Sequence, residues 1–153
     1  MASIAEEINQ KKPFKNETEK LIVNLMFTAH WLESIERENL KKYKITLVQY
    51  NILRILKGQY PNCISVIEIK QRTIDKNSDV SRLVERLRKQ GFAIRTEREN
   101  DRRLVDISIT EKGIKLLEKI QKERNKEGQI FQHIDEEDLK KINLYLDKLR
   151  TIE

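Results

Sequence analysis

Apolar residues along this 153-residue chain recur mostly every three or four positions, the spacing of helices that each bury one face. From Glu17 to about Lys42, Leu21, Leu25, Thr28, Leu32 and Ile35 form such a stripe and predict a long helix in need of a partner. Thr46 and Gln49 have the spacing of a capping box, in which hydroxyl and amide satisfy the open backbone donors of a helix start. Gly58 supplies the stop of that helix, and Tyr60, Pro61 and Asn62 read as a turn. Ser65 and Glu68 repeat the capping box and open a short helix ending near Thr73. Asp75 or Asn77 then caps a helix that runs to Gln90 and stops at Gly91. Val80, Leu83, Val84 and Leu87 fall on one side of it, with Ser78, Arg82, Glu85 and Lys89 opposite.

Beyond Gly91 the period changes to two. Val105, Ile107 and Ile109 alternate with Asp106 and Ser108, Ala93 to Arg98 make a partner strand, and Glu99 to Arg102 suit a hairpin tip. Thr110 restarts a helical pattern through Ile114, Leu117 and Ile120 to about Gly128. A last helix starts at Asp135 with Asp138 as capping partner, and Leu139, Ile142, Leu146 and Leu149 form its stripe. Residues 1–16, with charges and Pro13 among few apolar positions, read as a loose arm.

The order helix, short helix, turn, basic helix, hairpin is the anatomy of a winged helix-turn-helix. The expected fold class is mostly α with a small β-wing, in one domain of 153 residues. Residues 1–45 hold an arm and a dimerisation helix, 46–113 the DNA-binding lobe, and 114–153 the C-terminal dimerisation helices. The end stripes exceed what a small winged helix covers alone, which favours a homodimer over intramolecular packing.

Charge sharpens this picture. Thirty-one Lys and Arg against 25 Asp and Glu leave +6 overall, and Lys76 to Arg103 contains nine basic residues against five acidic ones. Such a concentration of cations suits the DNA backbone, and a helix with outward polar residues suits the major groove. The candidate contact set is Asn77, Ser78, Asp79, Ser81, Arg82 and Arg86 on the helix, with Arg98, Asp101, Arg102 and Arg103 on the hairpin. Arg82 can either fork onto a guanine edge or clamp a phosphate.

The segments ISVIEIKQRTIDKNSDVSR (64–82), LVERLRKQGFAIR (83–95) and NDRRLVDISITEKG (100–113) resemble the MarR family of regulators. The resemblance extends to ITLVQY at 45–50 and includes the D-x-R element of Asp101 and Arg103, followed by Thr110 and Gly113. It implies a triangular homodimer with interlocked terminal helices, with each wing in a minor groove. Arg103 would enter that groove, and Asp101 would hold the hairpin tip. It also implies a repressor bound to an inverted-repeat operator and released by a small aromatic effector, for which Phe27, His30, Trp31 and Tyr50 are the candidate lining.

Other chemistry finds little support. His30 and His133 lie far apart in sequence, no glycine-rich phosphate loop exists, and one Cys with two His makes neither a metal cluster nor a disulfide. No enzyme activity, cofactor or metal is expected. Cys63 is read as structural rather than a redox sensor. The run Asp135 to Asp138 is a helix start with favourable negative charge, not a metal site. The N-terminus lacks a signal-peptide core and no stretch suits a membrane span, so a cytoplasmic location is expected. The competing reading is a winged-helix protein-interaction module without DNA recognition, motivated by Asp79 and Glu85 among the outward positions.

Overall fold

Seven helices and three short strands follow one another in the computed structural model, which describes residues 2–98, 101–127 and 130–151, with the side chains of 98, 101–104 and 125–127 left aside. The chain falls into two units, Met1–Ile114 and Lys115–Glu153. The first begins with a helix where a loose arm is expected: α1 (Ile4–Glu7) is opened by a capping box between Ser3 and Glu6, and Ile4 is buried. Two charged neighbours hide that single apolar anchor from a periodicity count.

Helix α2 (Glu17–Lys41) starts at Asn16, whose side chain accepts the Glu19 N–H at 2.8 Å. Helix α3 (Leu47–Lys57) has the expected reciprocal box: Gln49 N–H donates to Thr46 Oγ1 at 3.2 Å and Thr46 N–H to Gln49 Oε1 at 2.9 Å. That pairing lets Gln49 sit buried. Gly58 ends α3 in the ordinary right-handed region (φ −66°), so its closure needs no glycine. Strand β1 (Ile64–Ser65) is too short to announce itself by alternation. It pairs with a later strand, Asp101–Ile109, through Ile64 opposite Ile107. Helix α4 (Val66–Arg72) carries the Ser65–Glu68 box, and α5 (Val80–Lys89) follows after a turn.

Strands β2 (Ala93–Arg98) and β3 (Asp101–Ile109) form an antiparallel hairpin, giving the sheet order β1-β3-β2. Its register runs from Ala93 opposite Ile109 to Glu97 opposite Val105, then shifts so that Arg98 faces Asp101. The shift accommodates extra β3 residues as an irregularity at the tip. Leu40, Ile52, Leu53, Leu56, Ile69, Leu87 and Ile107 are each no more than 1% exposed and form the centre of this unit.

Helix α5 ends in a tight left-handed turn at Gly91 (φ 77°), with Phe92 N–H returning to Leu87 O at 2.9 Å. Helix α6 (Glu111–Glu127) locks onto that turn. The Thr110 hydroxyl donates to Gly91 O at 2.8 Å and accepts the Gly113 N–H at 3.0 Å, while Lys112 Nζ donates to Gln90 O at 2.8 Å. Gly113 must lack a side chain, because a Cβ there would lie 2.5 Å from Phe92 O. The T-x-x-G spacing is therefore a clasp between the start of α6 and the end of α5.

In the second unit α7 (Glu136–Leu149) starts at Asp135, which accepts the Asp138 N–H at 2.8 Å. None of its residues is buried, and Ile142, Leu144, Tyr145 and Leu149 are all exposed. On α2 the apolar positions Leu21, Ile22, Leu25 and Met26 are likewise exposed.

Substituting Gly113→Ala forces backbone apart at Phe92, and overpacking of this kind costs about 2–3 kcal/mol. Urea denaturation should show a midpoint lowered accordingly, whereas Lys112→Ala, which removes one exposed hydrogen bond, should cost well under half as much.

Candidate nucleic-acid interface

The turn from Thr73 to Asp79 sets where α5 begins, and its residues bond mostly to one another. Thr73 is fully buried and donates its hydroxyl to Ile69 O at 2.7 Å. Lys76 Nζ donates to Gln71 O at 2.6 Å, closing the end of α4. Asp75 Oδ1 accepts the Asn77 N–H at 3.0 Å, and Asp75 O accepts the Ser78 hydroxyl at 2.9 Å. The helix cap is Asp79, not Asp75 or Asn77: its carboxylate accepts the Arg82 N–H at 3.0 Å. Asp75 instead shapes the turn ahead of the helix, a role that its side chain fills equally well.

Helix α5 buries Val80, Val84 and Leu87 and leaves Leu83 partly covered. Ser81, Arg82, Arg86, Arg88 and Lys89 stand exposed, as do Asn77 and Asp79 at the N-terminal end, with Ser78 half-buried. Arg82 and Arg86 lie one turn apart on the same helix face. An open cleft of about 350 Å³ between α5 and the sheet is lined by Ser65, Val66, Ser81, Glu85 and Arg95 among others, so Ser81 borders it.

Glu85 is not an outward acid available to repel phosphate. Arg88 grips it with two bonds, Nε to Oε2 at 2.8 Å and Nη2 to Oε1 at 2.9 Å. The hydrogen-bonded Arg88 guanidinium holds the Glu85 carboxyl below the ordinary glutamate range; desolvation opposes this, and the charges of Arg88, Lys89 and Arg95 add to the lowering. The two acids that motivate a DNA-free reading, Asp79 and Glu85, are thus engaged within their own helix.

The wing candidates Arg98, Asp101, Arg102 and Arg103 have side chains outside those described; of their contacts, the backbone pairing of Arg98 with Asp101 is described. Phe27, His30 and Trp31 lie exposed on α2, whereas Tyr50 is buried on α3 with the Arg54 guanidinium 5.9 Å from its ring centre. Cys63 is exposed just before β1 and takes no place in the core. Among the described residues no cluster of three or more His, Cys, Asp or Glu is arranged to hold a metal, and no helix is long and apolar enough to cross a membrane.

The model of the MarR family matches residues 45–105, the stretch from the start of α3 through the hairpin. The HTH-type transcriptional regulator PapX of Escherichia coli is 31% identical over 78 residues, covering 51% of this chain and 48% of PapX. The chain thus matches about half the length of the curated relatives. The crystal structure of a MarR transcription factor from Planctomyces limnophilus is 26% identical and covers 88% of this chain and 98% of its own, with a TM-score of 0.67. Residues 45–105 thus match the MarR family. At the level of fold alone, the chain also matches S. aureus MepR in a complex with DNA, 22% identical with a TM-score of 0.70, over 90% of this chain and 97% of that one. Sequence reasoning overlooks the part of Asn51, Thr73 and Lys76, whose side chains bond the turn and its edges.

Titration of Glu85 followed by NMR should show a midpoint below that of an exposed glutamate, so the carboxylate stays ionised and paired as pH falls until that lowered midpoint is crossed. Arg88→Gln should move the midpoint back up; an unchanged midpoint in that variant would show that the pair does not exist in solution.

Proposed function

We propose that this chain is a sequence-specific DNA-binding transcription regulator, not an enzyme, which reads duplex DNA with α5 and steadies it with the β2–β3 wing. The observation that carries this reading is the exposed set of Asn77 in the turn and Ser81, Arg82 and Arg86 on a helix whose start is fixed by the Asp79 cap and whose carboxylate Glu85 is paired locally. An exposed arginine near the start of a groove-filling helix can fork onto a guanine edge, and its neighbours can bond base edges or phosphates. Ser78 and Asp79 act mainly through the turn and cap. Arg98, Arg102 and Arg103 bring positive charge to the wing, with Arg103 as the minor-groove residue and Asp101 as the support of the hairpin tip.

Similar proteins support the reading by name: PapX is called a transcriptional regulator, MdtR of Bacillus subtilis a transcriptional repressor, and MepR is solved with DNA. Repression is accordingly the proposed mode. The active form is a homodimer, because α2 and α7 each carry a row of exposed large apolar residues beyond what a soluble monomer usually leaves uncovered. Two-fold symmetry then requires an inverted repeat with half-sites about 34 Å apart. Phe27, His30 and Trp31 offer α2 stacking surface to a small aromatic effector that loosens DNA binding, and Tyr50 joins them when the packing around α3 opens.

Duplexes selected by the protein from a random pool should share an inverted repeat. On such a duplex Arg82→Ala and Arg103→Ala should each cost about 1–3 kcal/mol of binding, with the fold intact by circular dichroism. Affinity should fall steeply with salt. Binding that is absent at every salt concentration would instead favour a protein-interaction module. Sedimentation should show a dimer, and Leu25→Asp should shift it toward monomer.

A further inference from the structure

Most bonds that shape the turn between α4 and α5 are local. Asp75, Lys76 and Asp79 each reach a partner no more than five residues away. One bond comes from elsewhere: Asn51, half-buried on α3, accepts the backbone N–H of Ile74 on Oδ1 at 3.1 Å, across 23 positions of sequence. Among the described residues, Asn51 is the only side chain outside the α4–α5 pair that bonds this turn. Ile74 directly follows the buried Thr73, and its own side chain is 83% exposed, so it gives the turn little apolar anchorage.

Helix α3 lies against both α4 and α5. Apolar packing resists separation of such helices but is non-directional, whereas a hydrogen bond prescribes both a length and an angle. Base recognition requires side chains held to within about 0.5 Å of their productive places. The register of the turn against α3 therefore bears directly on where Ser81 and Arg82 meet a base edge.

We propose that Asn51 is a positioning residue for DNA reading: its carboxamide pins Ile74, near the start of the helix-turn-helix turn, and so sets the depth and angle at which α5 presents its N-terminal residues. The proposal rests on the DNA-binding function above. It assigns Asn51 no contact with DNA. The bond is open to test from both ends, because Thr73 already has the extended backbone (φ −67°, ψ 135°) that a following proline requires, and Ile74→Pro removes the donor.

The experiment compares affinity for the pool-selected duplex with affinity for a scrambled duplex of equal length. Asn51→Leu keeps the size and removes the acceptor; it should weaken the selected duplex about tenfold while leaving the scrambled duplex and the thermal midpoint nearly unchanged. Asn51→Asp keeps an acceptor, and its added charge acts on both duplexes alike, so the ratio of affinities should survive. Ile74→Pro should lower the ratio as Asn51→Leu does, and the double variant no further. If Asn51→Leu does not fold, Ile74→Pro carries the same test from the donor side.

An unchanged ratio in Asn51→Leu, or losses that add in the double variant, overturns the proposal while DNA binding stands. Failure of the native protein to select any duplex overturns both. Hydrogen exchange at the Ile74 amide, measured without DNA, should quicken in Asn51→Leu and not in Asn51→Asp; equal exchange in all three proteins also overturns the proposal.

Discussion

The burial of one seam of α5 is the constraint on which this lobe depends. Val80, Val84 and Leu87 lie three or four residues apart and are nearly inaccessible to water, and α5 packs against α3, α4 and β2. Each such side chain contributes about 1.5–3 kcal/mol when fully buried, enough to fix the rotation of the helix about its axis. With rotation fixed, Arg82 and Arg86 point outward. The same seam sets the position of the hairpin, since β2 leaves α5 through the Gly91 turn and cannot move without it.

Rotation alone does not define a reading surface; the helix must also be held along its axis. At its start the Asp79 carboxylate satisfies a backbone donor that would otherwise be open, and the preceding turn closes on Asp75. At its end the Thr110 hydroxyl and the Lys112 ammonium bond the carbonyls of Gly91 and Gln90. The close approach of Gly113 to Phe92 O leaves no room for slack there. Helix α5 is thus clamped at both ends by groups that lie outside its own sequence span.

Electrostatics follow from this frame. The segment from Lys76 to Arg103 carries nine cations and five anions. Here the exposed Asp79 carboxylate caps its helix and Glu85 is chelated by Arg88 within one turn. Among the described residues Arg82 and Arg86 have no acidic partner, and the resulting field is that of a helix with a basic exterior.

Much of this was legible without coordinates, because the signals are local. The capping boxes at Thr46 and Ser65, the period-four stripe of α5, and the alternation from Val105 to Ile109 each follow from backbone geometry within a few residues, and each element lies where its pattern puts it. The candidate reading residues were visible for the same reason: they are what remains on α5 once its apolar side is assigned. Local competition already blurred the picture at Asp75, Asn77 and Asp79, three suitable caps in five residues, and the single anchor Ile4 was too little to mark α1. Strand β1, the bond from Asn51 to Ile74 and the space denied to a Gly113 side chain had no such signature. They join residues distant in sequence, and a pairing of that kind exists only after the chain has folded and brought two backbones within reach.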